Sequence, residues 1–262
     1  MLILLPPSEG KTAATAGAPV DPAGLRLPGL APARTRVLNR LVALCKRTSE
    51  RSVADSLNVL GLSAGQRDEV ARNATLHTAP AARAAEVYTG VLYEALDPSS
   101  LAPASQKWLD DTALVFSGLW GVVGPGDRIP AYRCSIGVTL PPIGGLTSYW
   151  KKVLKPALDP LPGPVLDLRS GAYVAMWAPG AQSCQVRVLH ERVAGGEVKR
   201  SVVSHFNKAT KGRLVRALAE ERAAPATADE LVTAMRDLKF TVEERPAPEG
   251  RPRQLDVVVT EI

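Results

Sequence analysis

The residues best equipped for chemistry stand near the start of the 262-residue chain. Pro6-Pro7-Ser8-Glu9-Gly10-Lys11-Thr12 sets a hydroxyl, a carboxylate and an ammonium together directly after the apolar run Leu2–Leu5. Gly-Lys-Thr invites comparison with a phosphate-binding P-loop. That loop needs a further glycine five positions before Gly10, where Leu5 stands. Pro6 and Pro7 lack the backbone N–H groups that would cradle phosphate. Ala13 to Pro22 is made of small residues and proline, not the helix whose N-terminus would face a nucleotide. The segment is therefore read as a polar Ser-Glu-x-Lys cluster at a strand's C-terminal end, and P-loop hydrolysis is set aside.

Other segment ends supply further candidates: Tyr88, Thr89, Ser117, Tyr132, Arg133, Ser170 and Tyr173. If these ends converge on one cleft, the set suits a nucleotide, a nucleobase or a phosphate. Lys11 and Arg133 would take the anion, Tyr88 or Tyr132 would stack, and Glu9 would act as general base. Glu9, Lys11 and Tyr88 are the catalytic candidates, Glu9 only where burial or a neighbour tunes its acidity. Ser8, Glu9, Tyr88, Thr89, Ser117, Tyr132, Ser170 and Tyr173 would line the cleft. The alternative is structural, with Glu9–Lys11 and Glu9–Arg133 ion pairs tying the N-terminal loop down. His77, His190 and His205 are not at ligand spacing and no cysteine or carboxylate cluster accompanies them, so neither a metal nor a cofactor is expected.

Several elements must position these groups. Leu2–Leu5, Leu114-Val115-Phe116 and Pro164–Leu168 read as short buried strands. Val37, Leu38, Leu41, Val42 and Leu44 recur at helical spacing within a helix from Ala33 to Thr48. Arg34, Arg36, Arg40, Lys46 and Arg47 dress its other sides, as a solvated face or one turned to nucleic acid. Helices are expected at Ser52–Leu57, at Ala64–Ala74 with Ser63 as N-cap, and at Thr147–Leu158. Pro80 to Glu86 leads helically into Val87. Gln185–Arg192 and Glu197–Ser204 alternate apolar and polar around Ala194-Gly195-Gly196, the pattern of an antiparallel hairpin. His205 to Arg222 is a basic helix. Leu255–Thr260 is a clear strand, and a less definite one begins near Lys239. Regular βαβ alternation is missing from this order, which points to one α+β domain over residues 1–262, a mixed β-sheet surrounded by helices.

Composition excludes more than it proves. No apolar run reaches the length that crosses a bilayer, and the first one is too short for a signal peptide. Three widely spaced cysteines give neither a disulfide framework nor a zinc knuckle, so a cytoplasmic protein is expected. The net charge of +6 is compatible with a nucleic-acid partner and does not by itself require one.

In their order, several segments resemble the YaaA family of peroxide stress resistance proteins. Leu-Leu-Pro-Pro-Ser-Glu-Gly-Lys-Thr is similar to that family's first strand and loop, and Val87-Tyr88-Thr89-Gly90 to its Tyr-x-Gly segment. Ser117-Gly118-Leu119-Trp120-Gly121-Val122-Val123-Gly124-Pro125, continued by Tyr132-Arg133, resembles its most distinctive block, with Trp120 and Gly124 in place of the usual Tyr and Arg. Tyr149-Trp150, Leu166-Asp167-Leu168 with Ser170 and Tyr173, and Lys208 to Arg216 complete the series. The resemblance implies an unusual α+β fold with a basic cleft, and DNA binding through a helix-hairpin-helix-like element. It also implies a role in tolerating peroxide and limiting iron-dependent oxidative damage.

On that implication, Gly118, Trp120 and Gly121 would form a hairpin whose backbone N–H groups approach phosphate. The same residues also read as a tight turn after a buried strand. Lys208, Lys211, Arg213 and Arg216 crowd the basic helix near its N-terminus, which opposes the helix dipole unless an anion sits there. Otherwise Arg213 and Arg216 pair with Glu220 and Glu221. The expectation is a non-sequence-specific binder of duplex or branched DNA, using Lys11, Gly118, Trp120, Gly121, Arg133, Lys208, Lys211, Arg213 and Arg216. The alternative is an enzyme acting on a nucleotide, nucleobase or nucleic acid in a strand-end pocket that takes a nucleotide-like ligand. No membrane partner is expected.

Overall fold

Leu2–Leu5 carries four consecutive apolar side chains and all four are buried, the pattern of a strand covered on both faces. A computed structural model of the chain describes residues 1–194, 197–248 and 250–260, the side chains of Val193, Ala194, Glu197, Ser204 and His205 excepted. Strand β1 (Leu2–Leu5) is followed by a long excursion and helices α1 (Ala31–Cys45), α2 (Glu50–Leu60) and α3 (Arg67–Ala74). The two-residue strand β2 (Ala82–Arg83) leads to the short helices α4 (Ala84–Val87) and α5 (Val91–Leu96), then α6 (Pro103–Thr112). Strands β3 (Ala113–Ser117) and β4 (Gly121–Val123) form a hairpin, and β5 (Arg128–Ile129), β6 (Thr139–Leu140) and β7 (Gly144–Gly145) are small ladders. Helix α7 (Leu146–Leu158) precedes β8 (Val165–Asp167), the long β9 (Ser183–Ala194) and β10 (Glu197–Ser201). Helices α8 (Ser204–Glu220) and α9 (Ala228–Asp237) come before β11 (Thr241–Arg245) and β12 (Arg253–Val259).

The main sheet runs β11-β12-β9-β8-β1-β3-β4, with β10 paired to β9. Its inner strands β12, β9, β8, β1 and β3 are all parallel, and antiparallel pairing enters at β4, β10 and β11. The sheet is therefore mixed and flanked by helices, with a parallel centre that the irregular element order concealed. Its crossovers are long excursions or a segment with one short 3-10 helix (Gly171–Met176) rather than one α-helix each. One hydrophobic core extends from Leu2 to Val257. The turn of the β9–β10 hairpin, Gly195-Gly196, lies outside the described residues.

Two sequence expectations change here. Arg34, read as part of a solvated or nucleic-acid-facing helix surface, is fully buried. Its guanidinium donates to the carbonyls of Trp120 (3.2 Å), Val122 (2.7 Å), Arg26 (2.6 Å) and Leu27 (3.3 Å). It thereby caps the edge of β4 with donors that a neighbouring strand would otherwise supply. Burial lowers its pKa to about 10. Arg36, Arg40, Lys46 and Arg47 do stay exposed.

The second change concerns Gly118–Gly121, which joins two antiparallel strands and has no helix on either side. It is a buried β-hairpin turn, not a helix-hairpin-helix. A Cβ on Gly118 would stand 2.5 Å from the Cys134 carbonyl oxygen, and one on Gly121 (φ 72°) 2.7 Å from the Trp150 ring. These glycines let backbone pack against backbone and ring, rather than against phosphate. Trp120 is wholly buried with them.

Candidate functional site

In a parallel sheet, the loops leaving the C-terminal ends of adjacent strands share one edge, and ligands settle in the crevice they form. Here β1 releases Pro6–Lys11 and β8 releases Leu168–Tyr173 at that edge. The first loop doubles back on the Tyr88 segment. Lys11 bridges Tyr88 in an antiparallel pair, Thr12 N–H donates to Val87 O (2.9 Å), and Thr89 N–H donates to Gly10 O (3.2 Å). Gly10 is needed for this closeness, since a Cβ there would meet the Thr89 hydroxyl at 2.8 Å.

Lys11 turns its ammonium inward. Its Nζ donates to Ser8 O (2.7 Å) and lies 4.4 Å from the Tyr132 ring centre and 5.5 Å from that of Tyr88. Burial lowers its pKa to about 8, against the opposing pull of the Glu9 charge. The expected Glu9–Lys11 ion pair does not form. Glu9 instead meets Arg133 at 2.9 Å, and Arg133 also donates to the Glu9 carbonyl (3.3 Å). Asn73 fixes the backbone of Arg133 from both sides, accepting from its N–H (2.9 Å) and donating to its carbonyl (2.7 Å).

Behind this wall lies a run of hydroxyls. Tyr88 and Tyr132 are 2.9 Å apart at their oxygens, and Tyr132 and Ser117 are 2.6 Å apart. Ser117 Oγ accepts the N–H groups of Leu119 (3.2 Å) and Trp120 (2.9 Å), so its own proton is directed to Tyr132. Burial raises Tyr88 to about 12, with the Tyr132 and Ser117 hydrogen bonds opposing, so both phenols are protonated at neutral pH. Tyr93 stacks on Tyr88 (5.4 Å) and donates to Pro6 O (2.7 Å).

The β8 end is shaped by buried charge. Arg169 binds Asp167 through two hydrogen bonds, Nε to Oδ1 (2.9 Å) and Nη2 to Oδ2 (2.7 Å), and donates onward to Trp177 O (2.8 Å) and Tyr173 O (3.1 Å). Its guanidinium carbon lies 4.2 Å from the Phe116 ring centre. Lys211 of α8 reaches beneath the same strand end and donates to Leu168 O (3.0 Å). It is 5% exposed, and burial lowers its pKa to about 8, with Asp167 opposing.

These walls enclose a cavity of about 510 Å³, within the range of small-molecule sites. Ser8, Glu9, Thr89, Ser170 and Tyr173 line it as expected from sequence, and so does Lys208. Tyr88, Ser117 and Tyr132 sit behind the wall as one buried hydrogen-bonded group, with Lys11 over their rings. Lys211, expected to touch phosphate, is under the wall with its ammonium on Leu168. Arg216 is held by Glu220 (2.9 Å) and by the carbonyls of Leu96 and Asp97 (both 3.1 Å). Arg213 faces a separate groove with Lys239 and Phe240. Gly118, Trp120 and Gly121 are in the hairpin core.

Pro6, Pro7, Tyr93 and Ser135–Gly137 also line the cavity and were not singled out from sequence. Tyr93 had a signal, since it stands three residues after Gly90, on the short helix α5 that follows the Tyr-x-Gly segment. Ser135–Gly137 had none. Among the described residues no group of three His, Cys, Asp or Glu side chains is placed to hold a metal ion, and no helix is long and apolar enough to cross a membrane. His205 lies outside the described side chains.

Comparison with known proteins follows the same span. Residues 1–245 match the model of a family described as peroxide stress protein YaaA. The UPF0246 protein SCO2297 of Streptomyces coelicolor is 51% identical, the match covering all of both chains. The UPF0246 protein CE1889 of Corynebacterium efficiens is 41% identical over 99% of this chain and 100% of its own. An uncharacterized protein of Campylobacter jejuni, Cj0984, is 28% identical over 82% of this chain and 83% of its own.

Proposed function

This chain belongs to the peroxide stress protein YaaA family, and on that premise we propose that it serves the stress response by binding DNA, with the strand-end cavity receiving one nucleotide unit of the strand. The observation that carries this reading is Lys208. Lys208 is exposed, lines the cavity and makes no ion pair or hydrogen bond with the described residues. A nucleotide matches what surrounds it: hydroxyls of Ser8, Thr89, Ser135 and Ser170, and the aromatic surfaces of Tyr93 and Tyr173. The charge of +6 and the exposed Arg213 on the same helix favour a polyanionic partner. On this reading, protection of DNA in the cytoplasm is the way oxidative (iron-dependent) damage is limited.

Fluorescence anisotropy of labelled single-stranded and duplex DNA at low salt tests the reading. Binding should be competed by mononucleotides and should weaken in Lys208→Ala. DNA binding that saturating mononucleotide leaves untouched, and that Lys208→Ala leaves unchanged, would take the cavity out of the interface. The lowered proton affinity of Lys11, over the Tyr88 and Tyr132 rings, favours a second reading in which the nucleotide is chemically altered. Chromatography of nucleotides and oligonucleotides after long incubation would then show a product, lost in Glu9→Gln.

A further inference from the structure

Two side chains of opposite charge, Lys208 and Glu9, line the cavity. On the α8 side stands Lys208, an ammonium without a partner among the described residues. On the β1 side stands Glu9, whose carboxylate is 61% exposed and engages Arg133 through Oε2 alone. Oε1 accepts nothing from the described residues. The Arg133 contact offsets the charge of this carboxylate and also aims its free oxygen. Arg133 is held at its backbone by Asn73, and its second Nη binds the carbonyl of Glu9 itself. A carboxylate fixed in this way is a preorganised acceptor, which loses little freedom when a donor arrives.

A ligand that matched only Lys208 would leave the free Glu9 oxygen without a donor, whereas one that also carried an N–H donor would satisfy both side chains. Resting on the reading that the cavity takes a nucleotide unit, we propose that it takes one in a fixed direction: the phosphate is neutralised by Lys208 and the base donates an N–H to the Glu9 carboxylate. The ligand class is thus a nucleoside monophosphate unit whose base edge carries an N–H donor. A base edge with acceptors alone is rejected. The same lining carries the hydroxyls of Ser8, Thr89 and Ser170, which suit the sugar.

The experiment uses adenosine 5′-monophosphate, adenosine and purine riboside 5′-monophosphate, which lacks the 6-amino group, each titrated by calorimetry into the wild type, Lys208→Ala and Glu9→Gln. The intact chain is used, and circular dichroism establishes that each variant is folded. Wild type should lose about ten-fold or more in affinity on removal of the 6-amino group, the effect of one hydrogen bond to a charged acceptor. Glu9→Gln should bind the two monophosphates with more nearly equal affinity, while Lys208→Ala should lose the preference for adenosine monophosphate over adenosine. If monophosphates bind but the purine riboside analogue equals adenosine monophosphate in wild type and in Glu9→Gln, the orientation proposed is wrong and the nucleotide site stands. If none of the three binds, and DNA binding is insensitive to mononucleotide, both readings fall together.

Discussion

Lys211 offers the sharpest test of the physical picture, because its charge is buried and its neighbours are counted. Asp167 is already held through two hydrogen bonds by Arg169, so Lys211 has one carbonyl, Leu168 O, as its hydrogen-bond partner among the described residues. Burial moves its pKa from 10.5 to about 8. At about 1.36 kcal/mol per pH unit, the folded protein bears a cost of about 3 kcal/mol for keeping this amine charged. Replacement by Met removes that cost and also a charge-assisted hydrogen bond worth about 1.5–3 kcal/mol. At pH 7 Lys211→Met should therefore lie within about 1 kcal/mol of wild type.

The pH dependence is more telling. The folded pKa is below the unfolded one, so between about 8 and 10.5 the unfolded state binds more protons and stability rises with pH. Below that window both states are protonated and the full cost is present. Integration from pH 7 to 9.5 gives a gain of about 2 kcal/mol for wild type that the Met variant does not share. Cys45, Cys134 and Cys184, raised by burial to about 11, 12 and 11, act in the opposite sense over the upper part of this range. The wild-type curve alone is thus not diagnostic, and the difference between the two proteins is. Urea unfolding followed by tryptophan fluorescence at pH 7, 8, 9 and 9.5 measures it. Parallel stability curves, with a difference constant to about 0.5 kcal/mol, would refute a charged, desolvated Lys211.

Two further outcomes follow from the same geometry. Arg169→Ala leaves the Asp167 carboxylate buried and unpaired and should cost about 3–5 kcal/mol in urea unfolding; a loss below about 1 kcal/mol would mean that water reaches the pair. Gly121→Ala places a Cβ in a left-handed backbone (φ 72°) and against Trp150, and should cost about 2–4 kcal/mol with an altered near-ultraviolet tryptophan signal; an unchanged melting temperature would contradict the packing of that turn.

Much of the fold was legible because its strands are apolar runs at both faces. Leu2–Leu5, Leu114–Phe116 and Val165–Leu166 announce themselves, and Ser63 with Gln66 forms the cap expected before α3. The parallel centre was not legible, since pairing partners distant in sequence leave no periodic trace. The candidate site was legible as a set of residue types and only partly as a layer. Ser8, Glu9, Thr89, Ser170 and Tyr173 face the cavity, whereas Tyr88, Ser117 and Tyr132, of the same polar character, face one another behind it. Polarity marks both a wall and its support. The basic helix misled for a related reason: helical spacing put Lys208 and Lys211 on one face, and the strand end beneath that face receives Lys211 while the cavity receives Lys208.

The short ladder between the loop after β1 and the Tyr88 segment has a consequence for how the cavity meets a ligand. Through Lys11–Tyr88, Thr12–Val87 and Thr89–Gly10, the strip bearing Ser8 and Glu9 and the strip bearing Thr89 and Gly90 share one backbone hydrogen-bond network. Arg169 ties the Ser170–Tyr173 strip to the sheet, and Gly212 lets α8 lie directly on the Leu92 carbonyl of α5. These sides of the cavity are thus tied to one another or to the sheet and helices behind them. Such a space behaves as a casting mould, with its shape set before anything enters. Molecules that fill it are sorted by outline and charge at first contact, and amides of the strip such as Thr12 and Thr89 should exchange slowly whether it is filled or not.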